Sequence, residues 1–154
     1  MKHKVDLVNQ MPAHPDVLEA VHALMHRVRS RQQRELREIG QELTHMDTKV
    51  LAFFARHPDA SSRDLVAHSG RDKGQIARLI GGLRERGLLE ASADASDGRS
   101  IRLRLTAEGR TLQQAMQAQR KRLEKLAVQG LSEAERAQLQ QLLQRVADNL
   151  APDA

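Results

Sequence analysis

The feature that most limits what this chain can fold into is a change of hydrophobic period part-way along it. Between residues 17 and 86 the apolar residues recur at helical steps. Between 100 and 105, Ile101, Leu103 and Leu105 alternate with Arg102 and Arg104, and from Leu112 onward the helical step returns. A period near 3.6 marks an amphipathic helix and a period of two marks a half-buried strand. With 154 residues the chain is long enough to bury a core. It is expected to form one mainly α domain over residues 1–154, with a single small β-hairpin set among helices.

Local signals place the element ends. Pro15 and Asp16 open a first helix whose seam is Val17, Val21, Leu24 and Val28. It runs through Arg27, Arg29, Arg31, Arg34 and Arg37 to about Ile39, with Gly40 as its stop. A second helix starts near Met46, turns Val50, Phe53 and Phe54 inward, and ends at His57 before Pro58. Ser61, with Asp64 three residues on, makes a capping-box start for a short third helix through Leu65, Val66 and His68, closed by Gly70. The fourth runs from near Asp72 to about Arg86, with Ile76, Leu79, Ile80 and Leu83 on one face and Gly87 as its cap.

The segments 88–92 and 100–105 then read as a two-stranded hairpin with Asp97-Gly98 at its turn. Thr106 and Glu108 start a long helix whose seam, Leu112, Met116, Leu123 and Leu126, is interrupted once by Gln119. Ser132 with Glu135 caps a last helix carrying Leu139, Leu142, Leu143, Val146 and Leu150. The helices at 15–39 and 107–150 carry more apolar seam than a monomer of this size covers, which predicts a two-fold homodimer.

Composition narrows the partners. Lys plus Arg number 25 against 20 for Asp plus Glu, a formal charge of +5 that favours a polyanion. The absence of cysteine excludes disulfides, thiolate zinc sites and thiol redox switching. Phe53 and Phe54 are the only aromatic residues of the Phe, Tyr and Trp class, too few for a base-stacking platform, so duplex DNA is a better expectation than RNA or a single strand. No apolar run reaches the length of a signal peptide or the ~18 residues of a membrane span, so a cytoplasmic protein without a membrane partner is expected.

A short helix, the turn Ser69, Gly70 and Arg71, a second helix and an adjoining hairpin form the order of a winged helix-turn-helix, with residues 46–105 as its lobe. The run RDLVAHSGRDKGQIARLIGGLRERGLLEASADASDGRSIRLRLTAEG at 63–109 resembles the MarR family of transcriptional regulators. Its landmarks are Leu83, Gly87 and Leu88, then Asp97 and Arg99, then Leu105, Thr106 and Gly109. The resemblance extends from about residue 17 to 150. It implies an obligate homodimer in which the first and last two helices interlock, and two winged lobes on successive major grooves. It also implies a repressor released by a small ligand.

The residues of the fourth helix suit groove reading. Lys73, Gly74, Gln75 and Arg78 lie opposite the apolar face; Arg pairs with guanine O6 and N7, Gln with adenine N6 and N7, and Lys neutralises a phosphate. Ser61 and Ser62 begin the third helix, where capping and phosphate binding are both available to them, and Ser62 is taken as a DNA contact. Arg99 at the wing tip suits a minor groove, with Asp97 orienting it or serving simple turn chemistry. Gly74, Gly81 and Gly82 weaken this helix by about 0.5–1 kcal/mol each relative to Ala. Either the helix is pliable, or Gly74 lets the backbone approach a phosphate.

The resemblance also places an effector pocket for a small organic molecule between the dimer helices and the lobe, drawing on Met25, His26, Arg29, His45, Met46 and Phe53. Each of Met25, Met46 and Phe53 also reads as plain core. His22 and His26, four apart, have the spacing of two metal ligands, but no clear third ligand accompanies them, and no metal or cofactor is expected. The sequence contains no phosphate loop, nucleophile elbow or H-E-x-x-H, which opposes an enzyme. The rival readings are an architectural DNA-coating protein and a helical interaction module.

Overall fold

A computed structural model describes residues 16–92 and 101–152. Pro15 and the Asp97-Gly98 turn lie outside the described residues. The chain packs as two compact units that divide between Gln113 and Gln114. The first contains α1 (Val17–Glu38), α2 (His45–Arg56), β1 (Ala60–Ser61), α3 (Ser62–Ser69), α4 (Lys73–Glu85), β2 (Leu89–Ala91) and β3 (Arg102–Leu105), together with the start of α5 (Ala107–Ala127). The second contains the remainder of α5, and α6 (Glu133–Asn149). This is a mainly helical winged-helix fold with a small antiparallel sheet.

The helix starts follow side-chain capping. Asp16 accepts from the Glu19 N–H at 2.8 Å, and Ser132 with Glu135 forms a reciprocal box at the head of α6. α2 begins one residue earlier than expected, because Thr44 and Asp47 form a further capping box, 3.1 Å and 2.9 Å, that sequence reading passed over. Two helix ends are Schellman motifs. In α1, Gly40 N–H donates to Arg37 O and Gln41 N–H to Leu36 O; in α4, Gly87 N–H donates to Arg84 O and Leu88 N–H to Leu83 O.

The expected two-stranded hairpin is instead a three-stranded sheet in the order β1-β3-β2. β3 is the centre, pairing Leu103 with Ala60 on one side and with Ala91 on the other. β1 was missed because two residues cannot display a period, and its pairing is set from across the chain. Leu103 and Leu105 face inward at 2% and 5% exposure, as their alternation demands. Ile101 does not: it is 54% exposed. It precedes β3, whose ladder to β1 ends at Ser61 opposite Arg102, so no strand holds Ile101 over the core.

The core of the first unit is Val50, Leu51, Phe53 and Phe54 of α2, Leu65 of α3, Ile76, Ile80 and Leu83 of α4, and Leu88, Leu89, Leu103, Leu105 and Leu112. Each such side chain stabilises the fold by about 1.5–3 kcal/mol on burial. Thr106 ties the core's C-terminal elements together. Its hydroxyl donates to Gly87 O at 2.6 Å and accepts from Gly109 N–H at 3.0 Å, and its own N–H donates to Leu88 O at 3.1 Å. Gly109 lies against the same peptide, and a Cβ there would collide with the Leu88 carbonyl oxygen. The spaced landmarks of the sequence thus meet at one junction.

Gly109→Ala should therefore lower stability by about 1–3 kcal/mol through overpacking against backbone that cannot rotate away. Gly81→Ala and Gly82→Ala, with nothing within 4 Å of the added carbon, should each raise it by about 0.5–1 kcal/mol. Thermal or urea melts of the three variants check the contrast; equal effects would refute the assigned close approach.

Candidate nucleic-acid interface

The turn between α3 and α4 is built by local hydrogen bonds. Ser61 caps α3, accepting from Asp64 N–H at 3.2 Å, while the Asp64 carboxylate accepts from Ser61 N–H at 2.8 Å. Hydrogen bonding to the carboxyl from Ser61, by its backbone N–H first and its side chain second, holds Asp64 below the usual carboxylate range. Capping leaves Ser61 buried and Ser62 exposed as the first residue of α3. Gly70 closes α3 with φ 65°, a left-handed conformation that a side chain resists, and its N–H donates to Val66 O. Asp72 then caps α4, accepting from Gln75 N–H at 3.2 Å.

α4 packs against α3, α2 and β2, turning Ile76, Ile80 and Leu83 inward. Lys73, Gly74 and Arg78 are exposed on its other side and Gln75 is half-buried. The four expected reading residues therefore belong to the first two turns of one helix. Arg78 lies back along its own helix, with Nε donating to Gly74 O at 3.4 Å. A Cβ at position 74 would stand 3.1 Å from the Asp72 carboxylate that caps the helix, so Gly74 leaves room for the cap. Ala77 is also exposed there and escaped notice. Its signal was spacing alone, four from Lys73 and three from Gly74.

The sheet beside this helix is basic on its outer side. Arg102 and Arg104 point outward as the alternation predicts, but both guanidinium groups already hold protein partners. Arg102 donates to Asp59 O at 3.1 Å, and Arg104 pairs with Glu90 at 3.2 Å. An exposed pair of this kind contributes at most about 1 kcal/mol. Asp97 and Arg99, the expected wing-tip pair, lie outside the described residues.

The six residues expected to line an effector pocket divide. Phe53 is core, 4% exposed, in an edge-on contact with Phe54 and tilted against the rings of His57 and His68 at 4.8 Å and 5.2 Å. Met25, His26 and Arg29 are exposed on α1, His45 is exposed at the first position of α2, and Met46 is half-buried. Desolvation holds the His45 imidazole below its ordinary 6.5, helped by the positive charges of Arg29, Lys49 and Arg71. Arg29 and His45 are thus brought within electrostatic reach of each other from two helices. His22 and His26 are both exposed. Among the described residues no group of three or more His, Cys, Asp and Glu side chains is placed to hold a metal ion.

Residues 41–100, which contain the α3–α4 turn and α4, match the sequence profile of the MarR family. The segment that holds α3, its turn and α4 is thus similar to the MarR family. The chain is similar to the transcriptional repressor NicR of Pseudomonas putida, with 26% identity over 108 residues, covering 70% of this chain and 68% of that protein. Its fold matches the crystal structure of the transcriptional regulator SlyA, with 25% identity and a TM-score of 0.72 over 88% of this chain and 94% of that one. It also matches a MarR-family regulator from Listeria monocytogenes solved with a 26-mer DNA, with 20% identity and a TM-score of 0.70 over 89% and 90% of the two chains.

The depressed pKa of His45 has a definite sign. Between the native value and 6.5 the unfolded chain binds more protons at this site, so stability rises with pH there. The native state meets no penalty above 6.5; the penalty grows as pH falls through 6.5 and levels off below the native pKa. His45→Gln should flatten this part of the curve, so the melting temperature of the parent should drop more than the variant's from about pH 7 to about pH 5. Parallel curves would rule out the assignment.

Proposed function

We propose that this chain is a sequence-specific, duplex-DNA-binding transcriptional regulator, a ligand-responsive repressor that acts as a homodimer on a pseudo-palindromic operator. The observation that carries the reading is α4. It is anchored by Ile76, Ile80 and Leu83 and presents Lys73, Gly74, Gln75 and Arg78 from its N-terminal half. Such a helix enters a major groove with its first turns nearest the bases. Arg78 would leave Gly74 O to pair with a guanine, Gln75 would read an adenine, and Lys73 would contact phosphate. Ser62 at the head of α3 supplies a further backbone contact, and Arg99 with Asp97 reaches the minor groove. Repression is supported by the name of the Pseudomonas putida relative, and duplex binding by the Listeria protein solved with DNA.

The dimer is supported by apolar surface. Val17, Leu18, Leu24 and Met25 of α1 are exposed, as are Leu126, Leu139, Leu142, Leu143 and Leu150. Apolar surface of this extent on helices marks an association face. In this reading residues 15–39 and 107–150 join the two copies, residues 46–105 read DNA, and the chain performs no catalysis. Met25, His26, Arg29, His45, Met46 and Phe53 belong to the region through which a small organic effector acts. Among the described residues no helix is long and apolar enough to cross a membrane.

Selection of bound sites from random duplex DNA, followed by titration at stated salt, tests the reading. Arg78→Ala should cost about 1–3 kcal/mol on the selected site and relax preference at one base pair, while Lys73→Ala should weaken all sequences alike. Arg99→Ala should lower the salt slope by about one unit for each phosphate charge left uncovered. An Arg78→Ala protein with unchanged affinity and base preference would exclude α4 as the reader. The full chain should sediment as a dimer at micromolar concentration, and a monomer there would exclude the assembly.

A further inference from the structure

Arg86 is the C-cap residue of α4, one position before the Schellman glycine, and its side chain leaves the helix altogether. Nη1 donates to the backbone carbonyl of Glu42 at 2.6 Å and Nη2 to Gln41 Oε1 at 3.3 Å. Gln41 and Glu42 belong to the segment that leaves α1. The Gln41 N–H is itself the closing bond of the Schellman motif of α1, and Leu43, the next residue, is buried at 3%. Both backbones that meet at this guanidinium are therefore fixed by their own hydrogen bonds. The planar fork of Arg, with donors set at a constant angle, suits such a two-point bridge. The contact is not part of a packed apolar layer: it borders a cavity of about 550 Å³ lined by Arg37, Gly40, Gln41, Glu42 and Arg86. Beside the buried Leu36 and Leu43, these two polar bonds add a directional tie between the exit of α1 and the end of α4.

We infer that Arg86 is a positioning residue for DNA recognition, one that couples the exit of α1 to the end of the reading helix and so sets how the two reading helices of a dimer are spaced. The inference rests on the proposed roles of α4 in reading and α1 in association. If α1 is held by the partner copy, the bond from Arg86 to Glu42 and Gln41 transmits that constraint to the C-terminal end of α4. The other end of α4 is then free to seat in the groove at one depth and one angle. Moving a half-site by one base pair changes its position by about 3.4 Å and its facing by roughly 35°, so a rigid coupling penalises wrong spacings and a loose one tolerates them. Arg86 touches no base in this scheme and acts only through α4.

The test uses the full-length chain, with half-sites taken from the random-duplex selection. These are rebuilt at the selected centre-to-centre spacing and at spacings one base pair shorter and longer. Affinities are measured at one salt concentration for the parent, Arg86→Ala and Arg86→Lys, with melts and sedimentation alongside. Arg86→Ala is expected to keep the base preferences of the half-site and the parental assembly, and to lose about threefold or more of the discrimination between spacings. Arg86→Lys, which reaches one acceptor and not both, is expected to fall between. A variant pair with the parental spacing profile overturns the role of Arg86 while leaving the DNA reading intact. If Arg86→Ala fails to fold, Arg86→Lys decides alone, and a parental profile there overturns the inference. A parent with no base preference at all overturns the DNA reading beneath it, a result separable from the first because it does not involve Arg86.

Discussion

The first unit depends on one hydroxyl and one missing side chain. Thr106 bonds to Gly87 O and Gly109 N–H at once, and Gly109 brings the first turn of α5 flush against the Leu88 peptide. The sheet, the end of α4 and the start of α5 are thereby held at a single point, although residues 87 and 106 are far apart in the chain. Buried backbone groups need partners, and here the partners of one element are the ends of two others. Hydrophobic burial alone would leave α4 free to slide along its axis, since apolar contact is not directional. The hydrogen bonds fix its end, and with it the register of the residues it presents to solvent.

Most of the fold was legible because its signals are local. Caps at Asp16, Ser61 and Ser132, the stop at Gly87 and the alternation of Leu103 and Leu105 each depend on residues within a few positions of one another. Thr44 with Asp47 carries the same signature as Ser61 with Asp64, and was overlooked because the first apolar residue, Met46, drew the boundary forward. The strand at Ala60–Ser61 could not be seen at all, because its existence depends on Leu103 and Arg102 some forty residues away. Ile101 shows the converse. Its place in the alternation is correct, but the ladder that would hold it inward stops one residue later.

The site was legible to the extent that helical geometry determines it. A helix with one buried face must expose the other, so Lys73, Gly74 and Arg78 follow from Ile76, Ile80 and Leu83. What spacing cannot supply is the use a charged side chain makes of its charge. Arg102 and Arg104 read alike as outward-facing cations, and Arg86 reads only as the last residue of its helix. The first grips Asp59 O, the second pairs with Glu90, and the third bonds the Glu42 carbonyl and the Gln41 side chain. Phe53 similarly belongs to the core, its ring tilted against His57 at the end of its own helix and against His68 of α3, a contact that its own helix does not announce.

α6 has no buried residue in the single chain. A helix with so little of its apolar surface covered is marginal in water, so covering its leucines further would supply much of the free energy that keeps it ordered. In the proposed dimer, ordering and association then become one equilibrium, and stability depends on protomer concentration. At low levels the amount of assembled protein grows with the square of the chain concentration. A cell making twice as much of the chain would hold about four times as much of the form able to occupy both half-sites, so the leucines of one terminal helix would set a threshold for gene control.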